Sequence, residues 1–192
     1  MAQGKFLVLY GINHNLKVAV GKQIVEFLKQ KGIEANFIKY PIYTVAPSGF
    51  FIEKALKGQQ TMSEEELQLW FVLNRYQYQP VVLKNLKEGK WVVAEDYIWT
   101  GVAWGGAKGA DRNWIAKINE PLLKEDISVL IDSKQFAGAE VTTGYANYDI
   151  TEKVRLRLQE FAKEHGWHTV DGNRPAQEIF LDLIKVIEEK MG

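Results

Sequence analysis

Residues 5–32 read KFLVLYGINHNLKVAVGKQIVEFLKQKG, and this stretch decides the fold. Its opening run, Lys5–Tyr10, is short, apolar and rich in branched and aromatic side chains, as a buried strand requires. It stops at Gly11. Beyond the turn the period changes from runs to helical spacing: Val20, Ile24, Phe27 and Leu28 fall on one face, and Gly32 after Lys29 and Lys31 closes the helix. Strand, glycine turn and amphipathic helix in that order are the start of an α/β unit.

The same alternation continues outward. Residues 36–40 (NFIKY) read as a second strand broken by Pro41, and residues 41–62, with Pro41, Pro47, Gly49 and Gly58, as loop with one short helix. Ser63 and Glu66 form a capping box for a long helix, which Pro80 is expected to kink or divide. WVVA (91–94), SVLID (128–132) and WHTV (167–170) supply three more strands, and between the first two of them a glycine-rich stretch, 101–109, leads into another helical segment. Asp149 with Glu152 would cap a helix running to Gly166. Asn173 and Pro175 open a last helix with Phe180, Leu183, Ile184, Ile187 and Met191 on one face. Five strands separated by helical segments predict a three-layer α/β fold: a five-stranded parallel sheet flanked by helices, in one domain over residues 1–192.

Composition narrows the function classes. Hydrophobic residues make up 46%, and acids and bases balance at 24 each, which argues against a general nucleic-acid or membrane surface. The absence of cysteine excludes disulfides and cysteine-based zinc sites. The apolar run Phe6–Tyr10 is too short for a signal peptide or a membrane span, so the expected setting is the cytoplasm.

In parallel sheets ligands collect at the carboxyl ends of the strands, which makes the turn after the first strand the leading candidate. A phosphate loop reads G-x-x-x-x-G-K-[ST]: the second glycine lets backbone N–H groups close on phosphate, and the hydroxyl holds Mg²⁺. Here Gly11 and Lys17 fit, whereas Leu16 stands at the glycine position and Val18 at the hydroxyl position. Asn13, His14 and Asn15 inside the turn offer hydrogen bonds to an anion. By spacing alone Lys17 is otherwise a solvated lysine, and Lys22 and Lys108 are further cations that would reach the same cleft. Glu95 and Asp96, at the end of the third strand, read either as oxygen ligands for a divalent metal or as a solvated loop. His14, His165 and His168 have no metal-ligand spacing.

Taken in order, these segments resemble the thymidylate kinase family over nearly the full chain. The resemblance rests on Gly11-Ile12 to Lys17 and the helix to Lys31-Gly32, on Tyr40-Pro41, and on Phe71-Val72-Leu73-Asn74-Arg75 followed by Pro80 and Glu88-Gly89-Lys90. It rests also on Glu95-Asp96-Tyr97 with Gly101-Val102-Ala103-Trp104-Gly105-Gly106-Ala107-Lys108, and on Gly166-Trp167 to Asp171-Gly172 with the closing helix. It implies a P-loop NTPase-like fold, ATP and Mg²⁺ as cofactors if the chain is active and none otherwise, dTMP or a related nucleoside monophosphate as ligand, and a homodimer. By the same resemblance Lys17 would contact ATP phosphates and be the catalytic residue. Gly11, Asn13, His14 and Asn15 would line the nucleotide site, Phe71 would stack on the base, Arg75 would hydrogen-bond it, and Tyr97 and Tyr145 would lie near the nucleoside. Without it, Phe71 reads as core and Arg75 as a surface ion-pair partner.

The departures from the family pattern fall together on phosphate handling. Besides Leu16 and Val18, the family's loop Asp is Asn13 and the Arg after its aromatic-Pro segment is Tyr43. The Arg of its Asp-Arg-Tyr is Asp96, and its lid Arg is Gly144, within a segment whose sole cation is Lys134. Phosphoryl transfer depends on positioned cations at the phosphoryl oxygens, so the first reading is a nucleotide-binding protein with impaired or absent transfer. An active dTMP kinase with an atypical phosphate site and a non-catalytic dimeric scaffold are the alternatives.

Overall fold

The computed structural model describes residues 3–134 and 148–191. The chain runs β1 (Phe6–Tyr10), α1 (His14–Gln30), β2 (Ala35–Lys39), α2 (Ser48–Leu56), α3 (Glu64–Lys87), β3 (Trp91–Glu95), α4 (Ile98–Ala107), α5 (Arg112–Asn119), β4 (Ile127–Asp132), α6 (Tyr148–His165), β5 (His168–Asp171) and α7 (Ala176–Met191). The five strands form one sheet in the order β2-β3-β1-β4-β5, and every pairing is parallel. This is the expected α/β architecture, with each strand within a residue of its predicted bounds.

β1 is central and wholly buried. Because successive strand side chains point to opposite faces, Phe6, Val8 and Tyr10 join the apolar cluster under α3, α4, α5 and α6, while Leu7 and Leu9 join the one under α1 and α7. An apolar run with no polar alternation is what a strand covered on both faces needs.

Three expectations are corrected. Pro80 does not divide the long helix: α3 is continuous over 24 residues. Pro80 lies on the exposed side, where water can satisfy the carbonyl it leaves unpaired, while Leu67, Val72, Val82 and Leu86 anchor both halves to the core. The glycine-rich stretch leads into a helix, α5, as expected, but is itself largely helical, as α4. Its glycines are contact points: a Cβ on Gly105 would lie 2.6 Å from Ile115 Cδ1, and one on Gly101 would lie 2.9 Å from Arg75 Nη2. Finally, α6 begins at Tyr148, so Asp149 sits inside its first turn, where a carboxylate complements the helix dipole.

Candidate functional site

The carboxyl ends of β1 and β3 lie side by side, with Leu9 opposite Glu95. Gly11 follows β1 at φ 144°, and a Cβ there would sit 2.5 Å from the Ile131 carbonyl oxygen; glycine is required. The next step departs from a phosphate loop. Asn13 is the N-cap of α1, its Oδ1 accepting the Leu16 N–H at 3.1 Å, and the Lys17 N–H donates to the Asn13 carbonyl at 3.1 Å. The helix therefore starts at His14, three residues ahead of Lys17, and these two N–H groups are committed to it. Leucine at position 16 favours helix where glycine would favour an open loop.

Lys17 is buried at 3% exposure, which overturns its reading as a solvated lysine. Its Nζ donates to Asp96 Oδ1 at 2.6 Å and lies 3.5 Å from Glu95 Oε1. Glu95 is 1% exposed, so the solvated-loop reading of the acidic pair is overturned as well. His14 Nδ1 stands 2.5 Å from Glu95 Oε1 and its Nε2 stands 3.3 Å from Lys39 Nζ. A carboxylate only accepts and an ammonium only donates, so the ring carries its hydrogen on Nδ1. Thr100 Oγ1 donates to Asp96 Oδ1 at 2.9 Å. Asp96 itself has φ 61°, a left-handed conformation that Asp tolerates better than most residues and that sets its carboxylate beside Lys17. A polar chain thus runs Lys39–His14–Glu95–Lys17–Asp96–Thr100 along the ends of the central strands.

Next to it, α3 and α4 enclose a cavity of about 170 Å³. Tyr40, Phe71 and Trp104 give it aromatic walls, and Gln68, Arg75, Asp96 and Thr100 supply its polar groups. Arg75 is 5% exposed, not the surface ion-pair partner of its simplest reading. Its Nη1 donates to Asn119 Oδ1 and its Nη2 to the Tyr97 carbonyl, each at 2.9 Å, while Nε is buried without a partner. Burial foremost pulls the Arg75 pKa below its ordinary value, with the neighbouring phenols and Asp96 acting in the opposite direction. Gln68 is fully buried; its Nε2 donates to Glu64 Oε1 at 2.8 Å and its Oε1 has no partner. The amide cannot be reversed, since Oε1 would then face the carboxylate of Glu64. Asn74 ties the loop after β2 to α3 through both backbone groups of Ile42, at 2.7 and 2.9 Å, and through Ser48 Oγ at 2.9 Å.

The expected site residues divide accordingly. His14, Lys17, Glu95 and Asp96 meet in one chain, and Phe71 and Arg75 meet Asp96 in the cavity. Asn13 caps a helix, Asn15 is exposed, and Lys22 is exposed further along α1. The Tyr97 ring packs in the core, 5.1 Å from Phe6 and 5.2 Å from Tyr40, and only its carbonyl serves the cavity, through Arg75. Tyr145 and Gly144 lie outside the described residues. Sequence reasoning missed Gln68, Thr100 and Trp104 as lining residues. Gln68 was legible: with Val72 and Arg75 it makes an i, i+4, i+7 stripe on the buried face of α3.

The arrangement does not fit ATP and Mg²⁺ held in the ordinary way. The loop is a helix turn, Lys17 is ion-paired, and Val18 has no hydroxyl. No cluster of three or more metal-ligating side chains forms among the described residues. No helix of the described residues is long and apolar enough to cross a membrane.

Comparison with known proteins agrees with the fold and the order of motifs. The chain is 28% identical to a thymidylate kinase of Plasmodium falciparum over 193 residues, covering 96% of this chain and 90% of that one. Among solved structures, the thymidylate kinase of Candida albicans superposes with a TM-score of 0.84 at 19% identity, covering all of this chain and 94% of that one. That of Ehrlichia chaffeensis superposes with a TM-score of 0.77 at 20% identity, covering 97% and 99%. Residues 11–183 match the thymidylate kinase family model, and with the phosphate site altered as described, the chain belongs to the thymidylate kinase family.

Proposed function

We propose that this family member recognises the nucleoside part of a pyrimidine mononucleotide such as dTMP in the cavity between α3 and α4, with ATP-dependent phosphoryl transfer impaired or absent. What carries the reading is the 2.6 Å contact between Lys17 Nζ and Asp96. The lysine that would meet ATP phosphates is neutralised inside the protein, at the end of a helix turn that has no open loop.

Thymidylate kinases use ATP and Mg²⁺, and a developing charge on a phosphoryl group needs preorganised cations. Loss of one such donor costs on the order of 10²–10³ in rate, and losses at coupled positions need not multiply. The cavity is less altered: Phe71 offers a ring to stack on, and Arg75 and Gln68 offer a donor and an acceptor to a base. A coupled assay with dTMP, ATP and Mg²⁺ should give no ADP above background, while titration calorimetry should detect nucleoside or nucleotide binding and little or none for ATP. Robust ADP formation, lost on Lys17→Ala, would establish an active kinase instead.

The family resemblance also brings a homodimer, and one helix suits it. On α3, Leu69, Leu73, Tyr76 and Leu83 are exposed at 38–50% and spaced 4, 3 and 7 residues apart, so they form one exposed stripe alongside the buried face.

A further inference from the structure

The cavity's polar groups carry information about charge that the family pattern does not. Its aromatic walls suit a flat ring. At one end, Arg75 Nε and Gln68 Oε1 are both buried and unpaired, a donor and an acceptor. The two side chains converge at Gly101, where a Cβ would lie 3.0 Å from Gln68 Oε1 and 2.9 Å from Nη2 of the guanidinium that carries Nε. A donor beside an acceptor complements the carbonyl and N–H of a pyrimidine imide edge.

At the other end stands Asp96. Both of its hydrogen bonds, from Lys17 and Thr100, end on Oδ1, and none among the described residues reaches Oδ2. Its side chain is 18% exposed, whereas that of Lys17 behind it is 4% exposed. A ligand therefore meets a carboxylate oxygen before it meets the ammonium. The balance of charge leaves no cation in surplus: Glu95 and Asp96 share the one buried ammonium of Lys17, and the Arg75 guanidinium in the cavity wall offsets the second carboxylate. Arg75 donates one N–H from each Nη to the neutral Asn119 and Tyr97 oxygens, which fixes its position without cancelling its charge. A phosphomonoester, with close to two negative charges at neutral pH, would be desolvated here with no cation in excess of the two carboxylates. A hydroxyl group would instead donate to Oδ2, a charge-assisted hydrogen bond.

We infer that the preferred ligand of this cavity is an uncharged pyrimidine nucleoside, held through a sugar hydroxyl at Asp96, and that Asp96 discriminates against the phosphorylated form. The inference rests on the nucleoside-recognition reading above and sharpens its ligand class.

Calorimetric titration of the wild-type chain with thymidine and with dTMP tests it, alongside Asp96→Asn. Asparagine also tolerates a positive φ, so this variant keeps the backbone and removes the charge; its thermal unfolding is recorded in parallel. Thymidine should bind the wild type roughly tenfold or more tighter than dTMP, from one unit charge near a partly buried phosphate. Asp96→Asn should reduce that ratio to about threefold or less by raising dTMP affinity. Tighter or equal binding of dTMP to the wild type overturns the inference and leaves the nucleoside reading standing. A thymidine preference unchanged in Asp96→Asn overturns the role of Asp96. Binding of neither compound defeats the nucleoside reading and the inference with it.

Discussion

Lys17 is nearly inaccessible to water, and its ammonium is held by two carboxylates on the neighbouring strand end. A buried pair contributes little over well-packed apolar residues, but removing one partner leaves an uncompensated charge and typically costs about 3–5 kcal/mol. Lys17→Met should therefore lower unfolding free energy by about 3 kcal/mol in urea titrations, because Glu95 and Asp96 are left facing each other. The exposed pair Lys57–Glu53 is the control: Lys57→Ala should cost less than about 0.5 kcal/mol. Equal losses in the two variants would show that the Lys17 cluster is not structurally committed. Arg75 teaches a related lesson. Its sequence context, a basic residue on a helix, suggests a surface partner, whereas burial and the Asn119 and Tyr97 acceptors make it a fixed wall of the cavity.

Helices α3 and α4 carry the next level. A glycine inside a helix ordinarily gains about 0.5–1 kcal/mol when changed to alanine. Gly105 should reverse that sign, since the added Cβ would lie 2.6 Å from Ile115 Cδ1; Gly105→Ala should destabilise by about 1–3 kcal/mol in thermal or urea unfolding. An unchanged or raised stability would mean that α5 yields easily. The apolar stripe on α3 gives a second test. If it is the dimer surface, Leu73→Asp should shift the sedimentation coefficient from dimer to monomer at unchanged helical content, and a wild-type chain that sediments as a monomer disposes of the homodimer proposal.

Across the whole molecule, the core around β1 holds three phenols with shifted ionisation. Burial, the largest cause, raises Tyr10, Tyr40 and Tyr97 above the ordinary tyrosine value; Glu125 adds to it at Tyr10 and Tyr40 adds to it at Tyr97. A raised folded-state value means that the native protein keeps protons which the unfolded chain releases above about pH 10. Protons bound then favour the native state with a negative slope, so this stability is complete below about pH 10 and is lost as pH rises further toward the folded values. The urea midpoint should fall between about pH 9 and about pH 11, and Tyr97→Phe should make the fall shallower. A midpoint indifferent to pH in this window would contradict the burial of these phenols.

How far the sequence reached depends on the kind of information involved. Periodicity, caps and turn residues are local, and hydrophobic runs bounded by glycine and proline placed all five strands within a residue. The order of motifs carried the family. The gap at Leu16 and Val18 was legible because a phosphate loop is defined by residue type at fixed spacing. Other features depend on which segments the sheet brings together. That Lys17 pairs with Asp96, 79 residues away in the chain, follows from β1 lying beside β3, and no local pattern contains that adjacency. Likewise the glycines of 101–109 gave no helix signal because glycine is a poor helix former; packing against Arg75 and Ile115 overrode that propensity. The sequence by itself determined the α/β fold, the family and the loss of the phosphate-loop residues. Only the tertiary structure decided that the remaining lysine is buried against an acid and that Gln68 and Arg75 present unpaired groups beside one cavity, because burial and charge pairing are properties of what surrounds a residue in space.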